Sequence, residues 1–160
     1  MAIKEPIVDF SDFDPDHLVA DLDEVYGHNP HRHELALLDG VLFIDEDRAV
    51  GFKDLKEDAF WVRGHFPERA VMPGVLICEC AAQLTAYFAS HHEVKGDGYM
   101  GLGGLEDVRF RSPVVPGDKL IIMLRKTRYR KGVLVFTEFQ AYVDQTLCAE
   151  GVIKGAMLND

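Results

Sequence analysis

Gly64-His65-Phe66-Pro67-Glu68-Arg69-Ala70-Val71-Met72-Pro73-Gly74-Val75-Leu76-Ile77-Cys78-Glu79-Cys80-Ala81-Ala82-Gln83 sets a loop histidine fourteen residues ahead of a lone carboxylate in an apolar run. Pro73 and Gly74 open a segment that continues to about residue 90 without a further proline or glycine, which predicts one helix of roughly four turns or more. Its apolar side chains surround the axis instead of forming one stripe, the pattern of a helix enclosed by other structure. Between residues 70 and 92, Glu79 is the only formally charged side chain. Burying a carboxylate without a cationic partner is costly, so desolvation is expected to raise its pKa toward that of a proton donor near neutral pH. Gln83, one turn on, shares its face and can orient the carboxyl group. His65, in a loop short enough to fold back toward the helix, is the natural partner base. Free amides at Gly74 and Val75 would point out of the helix start, where the macrodipole favours developing negative charge. Base, acid and oxyanion donor together describe proton abstraction beside a carbonyl with loss of a neighbouring group.

Two further stretches flank this one. Upstream stands Asn29-Pro30-His31-Arg32, followed by Leu37-Leu38-Asp39; downstream stands Val108-Arg109-Phe110-Arg111-Ser112-Pro113-Val114-Val115-Pro116-Gly117-Asp118. In that order the three segments resemble the signatures of the hotdog-fold 3-hydroxyacyl-[acyl-carrier-protein] dehydratases of type II fatty-acid synthesis. His-Phe-Pro, Met-Pro-Gly and a glutamate in place of aspartate are similar to the FabZ branch. The resemblance covers about residues 25–157 and implies an α+β hotdog, a six-stranded curved antiparallel sheet wrapped around a long central helix. It also implies a hydro-lyase that converts a (3R)-3-hydroxyacyl thioester on acyl carrier protein to the trans-2-enoyl thioester and water, with no dissociable cofactor and no metal. On the same basis His65 removes the α-proton, the Gly74 amide stabilises the enolate-like oxygen and Glu79 protonates the departing hydroxyl. Phe66, Met72, Val75, His31 and Gln83 are expected to bind substrate. The resemblance implies a homodimer whose sites join His65 of one chain with Glu79 of the other, with assembly into a trimer of dimers as a further step. Glu68 and Ala70 stand where the family run has glycine and proline, so the loop is expected to be less able to adopt a positive φ and less rigid. The competing readings are a catalytically weak hotdog module that binds acyl groups or carrier protein, and a hotdog thioesterase.

Composition fits one domain over residues 1–160, with 1–24 as an acidic extension: 160 residues, 48% of them hydrophobic, suffice for one substantial core. No membrane-length apolar run and no signal-peptide core appear, so the cytoplasm is the expected location. Cys78, Cys80 and Cys148 lack zinc spacing and read as small apolar side chains. His28, His31 and His33 would share a face on a strand, yet no cysteine or well-spaced carboxylate accompanies them as further metal ligands. His91 and His92 mark the polar end of the helix.

A net charge of −10 is unevenly spread: residues 1–60 hold sixteen acids and five Lys/Arg, whereas 109–131 hold eight Lys/Arg and one acid. Arg109, Arg111, Arg125, Lys126, Arg128, Arg130 and Lys131 are the expected docking rim for an acidic acyl carrier protein. Nucleic acid is a poor partner for so acidic a chain. Strands are predicted at about 36–44, 48–55, 99–111, 119–130, 133–143 and 147–157, and an amino-terminal helix at 13–26. Val135, Thr137, Phe139 and Ala141 alternate with Phe136, Glu138, Gln140 and Tyr142, which predicts one sheet face on the helix and a wetter face outside.

Overall fold

The computed structural model describes residues 4–93 and 97–158. A short helix α1 (Leu22–His28) and a 3-10 turn (His33–Leu35) precede β1 (Gly40–Ile44) and β2 (Arg48–Asp54). The long helix α2 (Gly74–His91) follows, and then β3 (Tyr99–Phe110), β4 (Lys119–Arg130), β5 (Leu134–Val143) and β6 (Thr146–Leu158). The six strands form one antiparallel sheet in the order β1-β2-β4-β5-β6-β3, with α2 packed on one face. This is the predicted α+β architecture, a hotdog.

Period-2 alternation divides β4 between two cores. Leu120, Ile122 and Leu124 pack toward α2 against Leu84 and Phe88, while Ile121 and Met123 belong to a second cluster on the other face. All five are at most 8% exposed. The outer face at this end of the sheet is therefore dry, contrary to the wetter face expected from β5: Gln140 and Tyr142 are buried as well. Residues 4–21 supply the cover. Val8 is fully buried among Leu42, Val50, Phe52, Ile121 and Met123, and the Phe10 ring meets Tyr142 edge-on at 5.2 Å. The Gln140 side chain clamps the segment by accepting from Ile7 N at 2.7 Å and donating to Glu5 O at 3.1 Å. The arm then crosses the sheet to β1, where Ala20 bridges Val41.

The helix expected at 13–26 is thus mostly absent, and α1 begins only at Leu22. Asp9 and Asp14 capture the amides of Ser11 and Asp16, which competes with helix formation, and the amides of Val19 and Ala20 donate to Val41 O. Asp21 supplies the cap for α1 by accepting from Glu24 N. The first strand is also shorter than the predicted 36–44, because the amides of Leu37 and Leu38 donate to the Gln83 side chain and not to a strand. The three cysteines are buried and unpaired, and burial pushes the Cys80 thiol up to about 12. Among the described residues, no helix is long and apolar enough to cross a membrane.

Candidate active site

His65 lies in a loop closed on itself by backbone bonds: His65 N donates to Trp61 O at 2.9 Å and Val71 N returns to His65 O at 2.8 Å. Phe66 and Arg69 exchange amide-carbonyl bonds at the tip. No positive φ occurs at Glu68, so the glutamate is accommodated in the tight turn without left-handed backbone. The His65–Phe66 peptide bond is cis. The imidazole Nδ1 lies 2.7 Å from Val71 O. A carbonyl only accepts, so Nδ1 carries the proton and Nε2 keeps a free lone pair. Phe66 stacks on the ring with centroids 4.0 Å apart and remains exposed.

His65 opens onto a cleft of about 530 Å³ whose walls include Met72, Gly74, Val75, Phe110 and Arg111. Helix α2 starts here at Gly74, with Pro73 as its cap and no side chain bonded to the first amides. Gly74 has a second reason to be glycine: a Cβ would lie 2.7 Å from the Phe110 ring. The cleft thus combines a free imidazole nitrogen with the positive end of an uncapped helix.

Glu79 lies one turn further along α2 and opens elsewhere. It lines a smaller cavity of about 110 Å³ with His31, Ala82, Thr85, Met100 and Ile153, and the two cavities share no lining residue. Within one chain the structure does not bring His65 and Glu79 together. The carboxylate Oε1 accepts from Gln83 Nε2 at 2.9 Å and has His31 Nε2 at 3.3 Å. Desolvation raises the Glu79 pKa, yet the hydrogen bonds from His31 and Gln83, with the charge of His31, overcome it and hold the carboxyl below the usual range. The raised value expected from sequence is reversed: the Gln83 contact follows from its place one turn on, but His31 reaches the half-buried acid from a distant segment.

Gln83 is also corrected from the expected substrate contacts. It is fully buried, its Oε1 accepts from Tyr26 Oη, Leu37 N and Leu38 N, and its Nε2 donates to Leu35 O and Glu79. Its partners are the chain itself. Sequence reasoning missed Tyr26 and Asn29, whose Nδ2 donates to Gln83 O at 2.9 Å. The Asn-Pro-His-Arg motif was the available signal. His28, His31 and His33 share no strand: His28 ends α1, His31 faces Glu79, and His33 begins the 3-10 turn. Among the described residues no three His, Cys, Asp or Glu side chains converge into a group able to hold a metal ion. His91 and His92 do terminate α2, with His92 Nε2 2.9 Å from Asp45 O.

The basic residues stand on β3 and β4 and just beyond their ends. Arg111 lines the His65 cleft and is paired with Glu150, Arg125 is paired with Glu138 at 2.6 Å, and Lys126 with Asp47 at 2.9 Å. Arg128 stacks over Phe136 near the far end of β4, close in sequence to Arg130 and Lys131. Arg109 stands on β3 opposite Glu150.

The FabA-like domain matches residues 29–151. A 3-hydroxyacyl-[acyl-carrier-protein] dehydratase FabZ of Agrobacterium fabrum is 39% identical over 140 residues, covering 87% of this chain and 90% of the relative. The FabZ of Streptococcus agalactiae serotype V is 37% identical over 139 residues, covering 87% and 99%. Among solved structures, the dehydratase heterocomplex ApeI:P from Xenorhabdus doucetiae superposes with a TM-score of 0.71 at 18% identity, covering 88% of this chain and 92% of that one. The E. coli PaaI protein of the phenylacetic acid degradation operon gives 0.61 at 16% identity, covering 84% and 88%.

Proposed function

The chain belongs to the FabA-like domain family, and from that premise we propose that it is a hydro-lyase that dehydrates (3R)-3-hydroxyacyl-[acyl-carrier-protein] to the trans-2-enoyl thioester in fatty-acid synthesis. One observation carries the reading: Val71 O holds the His65 proton on Nδ1, which leaves Nε2 unprotonated and able to serve as a base in the cleft that His65 lines beside the start of α2. With the thioester oxygen at the Gly74 amide, proton loss from Cα places developing charge where the helix end favours it. Loss of the β-hydroxyl then gives the enoyl product and water. Every step uses protein groups and the substrate alone, so no dissociable cofactor is assigned.

Glu79 is the second catalytic group, supplied to each site by a partner copy. Support comes from the separation of its cavity from the His65 cleft and from β3, which is a sheet edge with Tyr99, Leu102, Leu105 and Phe110 exposed. An unpaired apolar edge invites a second strand, and a second copy adds one in the isologous arrangement common to dimers. Acyl carrier protein is the proposed substrate-bearing partner; of the proposed docking residues, Arg111 alone lines the cleft, and Arg128, Arg130 and Lys131 lie apart from it.

The deciding assay supplies purified protein with 3-hydroxyacyl-carrier protein and follows enoyl thioester formation without added metal or nucleotide. Enoyl product from the wild type and its loss in a folded His65→Ala variant is the expected result. Carrier binding without product across chain lengths would leave a binding module, and release of free acid would make the protein a thioesterase.

A further inference from the structure

The Glu79 carboxylate is held by a relay that reaches back through three elements. Gln83 Oε1 accepts from Tyr26 of α1 and from the Leu37 and Leu38 amides ahead of β1. Those donors forbid a flip of the amide, so its NH₂ group must face Leu35 O and Glu79 Oε1. A second nitrogen meets the same oxygen from the loop after α1: His31 Nε2 lies 3.3 Å away. That loop is pinned by Asn29, which donates to Gln83 O, and by Arg32, whose Nη1 donates to Asn29 O at 2.8 Å and His31 O at 2.7 Å. His31 Nδ1 is enclosed with no partner, so Nε2, 3.3 Å from Glu79 Oε1, is the ring nitrogen that meets the carboxylate, and an oxygen that only accepts calls for an N–H there.

We propose that His31 is a positioning residue for Glu79: with the fixed Gln83 amide it occupies Oε1, keeps the side chain a carboxylate, and leaves Oε2 as a hydrogen-bond acceptor for the substrate β-hydroxyl. This rests on the dehydratase reading and assigns the proton differently from the acid role first expected for Glu79. His65 Nε2 takes the Cα proton. The C–O bond breaks with its electron pair on oxygen, the same Nε2 returns the proton to that oxygen, and water leaves as the Cα–Cβ double bond forms. His65 ends as it began, and Glu79 stays an acceptor throughout. The lowered Glu79 pKa agrees with this arrangement. The titratable groups that face Glu79 are His31, Tyr26 from α1 and Cys80 from its own helix; Tyr26 and Cys80 are themselves shifted upward by burial. The β3 and β6 walls contribute Met100, Gly101, Leu102, Ile153 and Gly155, none of which titrates.

The test reads the Glu79 carboxyl itself by carbon-13 NMR across a pH titration, in the wild type, His31→Ala and His31→Asn, with circular dichroism as the folding control. The expected result is a wild-type midpoint below that of an ordinary glutamate, an upward shift of about one pH unit in His31→Ala, and partial return in His31→Asn, which restores an N–H donor. In His31→Ala, kcat on the pH plateau should fall about tenfold. An unchanged midpoint in a folded His31→Ala, or a wild-type midpoint above the ordinary range, overturns the proposal. A shifted midpoint in a protein that dehydrates nothing upholds the positioning and removes the dehydratase reading alone.

Discussion

At the residue scale, the chemistry depends on two protons whose places are set by backbone oxygen and buried amide. Glu79→Gln can keep an oxygen toward Gln83 Nε2 only by placing its NH₂ group where Oε2 stood, so the acceptor for the substrate hydroxyl is lost. It should therefore lower kcat by about 10²- to 10⁴-fold while the thermal melt changes little, checked by steady-state kinetics and calorimetry on the same sample. Gly74→Ala tests the cleft wall. Alanine ordinarily favours a helix over glycine by up to about 1 kcal/mol, but here its methyl meets the Phe110 ring at 2.7 Å. Phe110 is 53% exposed and free to swing aside. The melting temperature should hold while kcat/KM falls about tenfold, and adding Phe110→Ala should recover part of it. A large loss of stability in Gly74→Ala, with no recovery in the double variant, would show that the ring cannot yield.

At the scale of elements, β4 and the amino-terminal arm explain both what was legible in the sequence and what was not. Helix α2 was legible because proline, glycine and an unbroken apolar run mark it locally, and strands β2 and β4 to β6 because turn residues separate them. The arm was not, since its partners lie up to 146 positions away in sequence and its aspartates suit turns and helix caps alike. The available signal was β4 itself: five consecutive apolar residues, Leu120 to Leu124, imply cover on both faces. At the site, the His65 loop was readable as a motif, whereas the Glu79 environment required His31 and Tyr26 to arrive from distant segments. The arm is fastened at Glu150, where Lys4 Nζ lies 2.7 Å away and Arg111 also bonds. These hydrogen bonds, from Lys4 and then Arg111, lower the Glu150 pKa. A carboxylate with a depressed folded-state pKa stabilises the fold above its unfolded value of about 4.3, and that contribution disappears as pH falls through the folded value. Melting temperatures recorded below pH 5 should therefore fall more steeply for wild type than for Glu150→Gln; parallel curves would mean the pair adds nothing.

At the scale of the whole molecule, the proposed division of each site between two chains can be measured directly. Co-expressed, differently tagged His65→Ala and Glu79→Gln chains would form a heterodimer with one doubly defective site and one intact site. Activity near half that of wild type is expected from the isolated heterodimer and almost none from either parent; an inactive, folded heterodimer would argue that each chain is catalytically self-contained. The arm has a consequence on a different axis, that of time. It is synthesised before every strand it covers, yet its clamp, Gln140, and its fastening, Glu150, stand 133 and 146 positions downstream of their partners Ile7 and Lys4. Closing so large a loop is slow compared with local pairing. Until β4 has been made the seat of Val8 is incomplete, and until β5 brings Tyr142 and Gln140 the Phe10 ring has no partner, the arm has no clamp and the apolar outer side of β4 is bare. The nascent protein therefore passes through a stage with both surfaces uncovered, and this is when a chaperone would find most to hold.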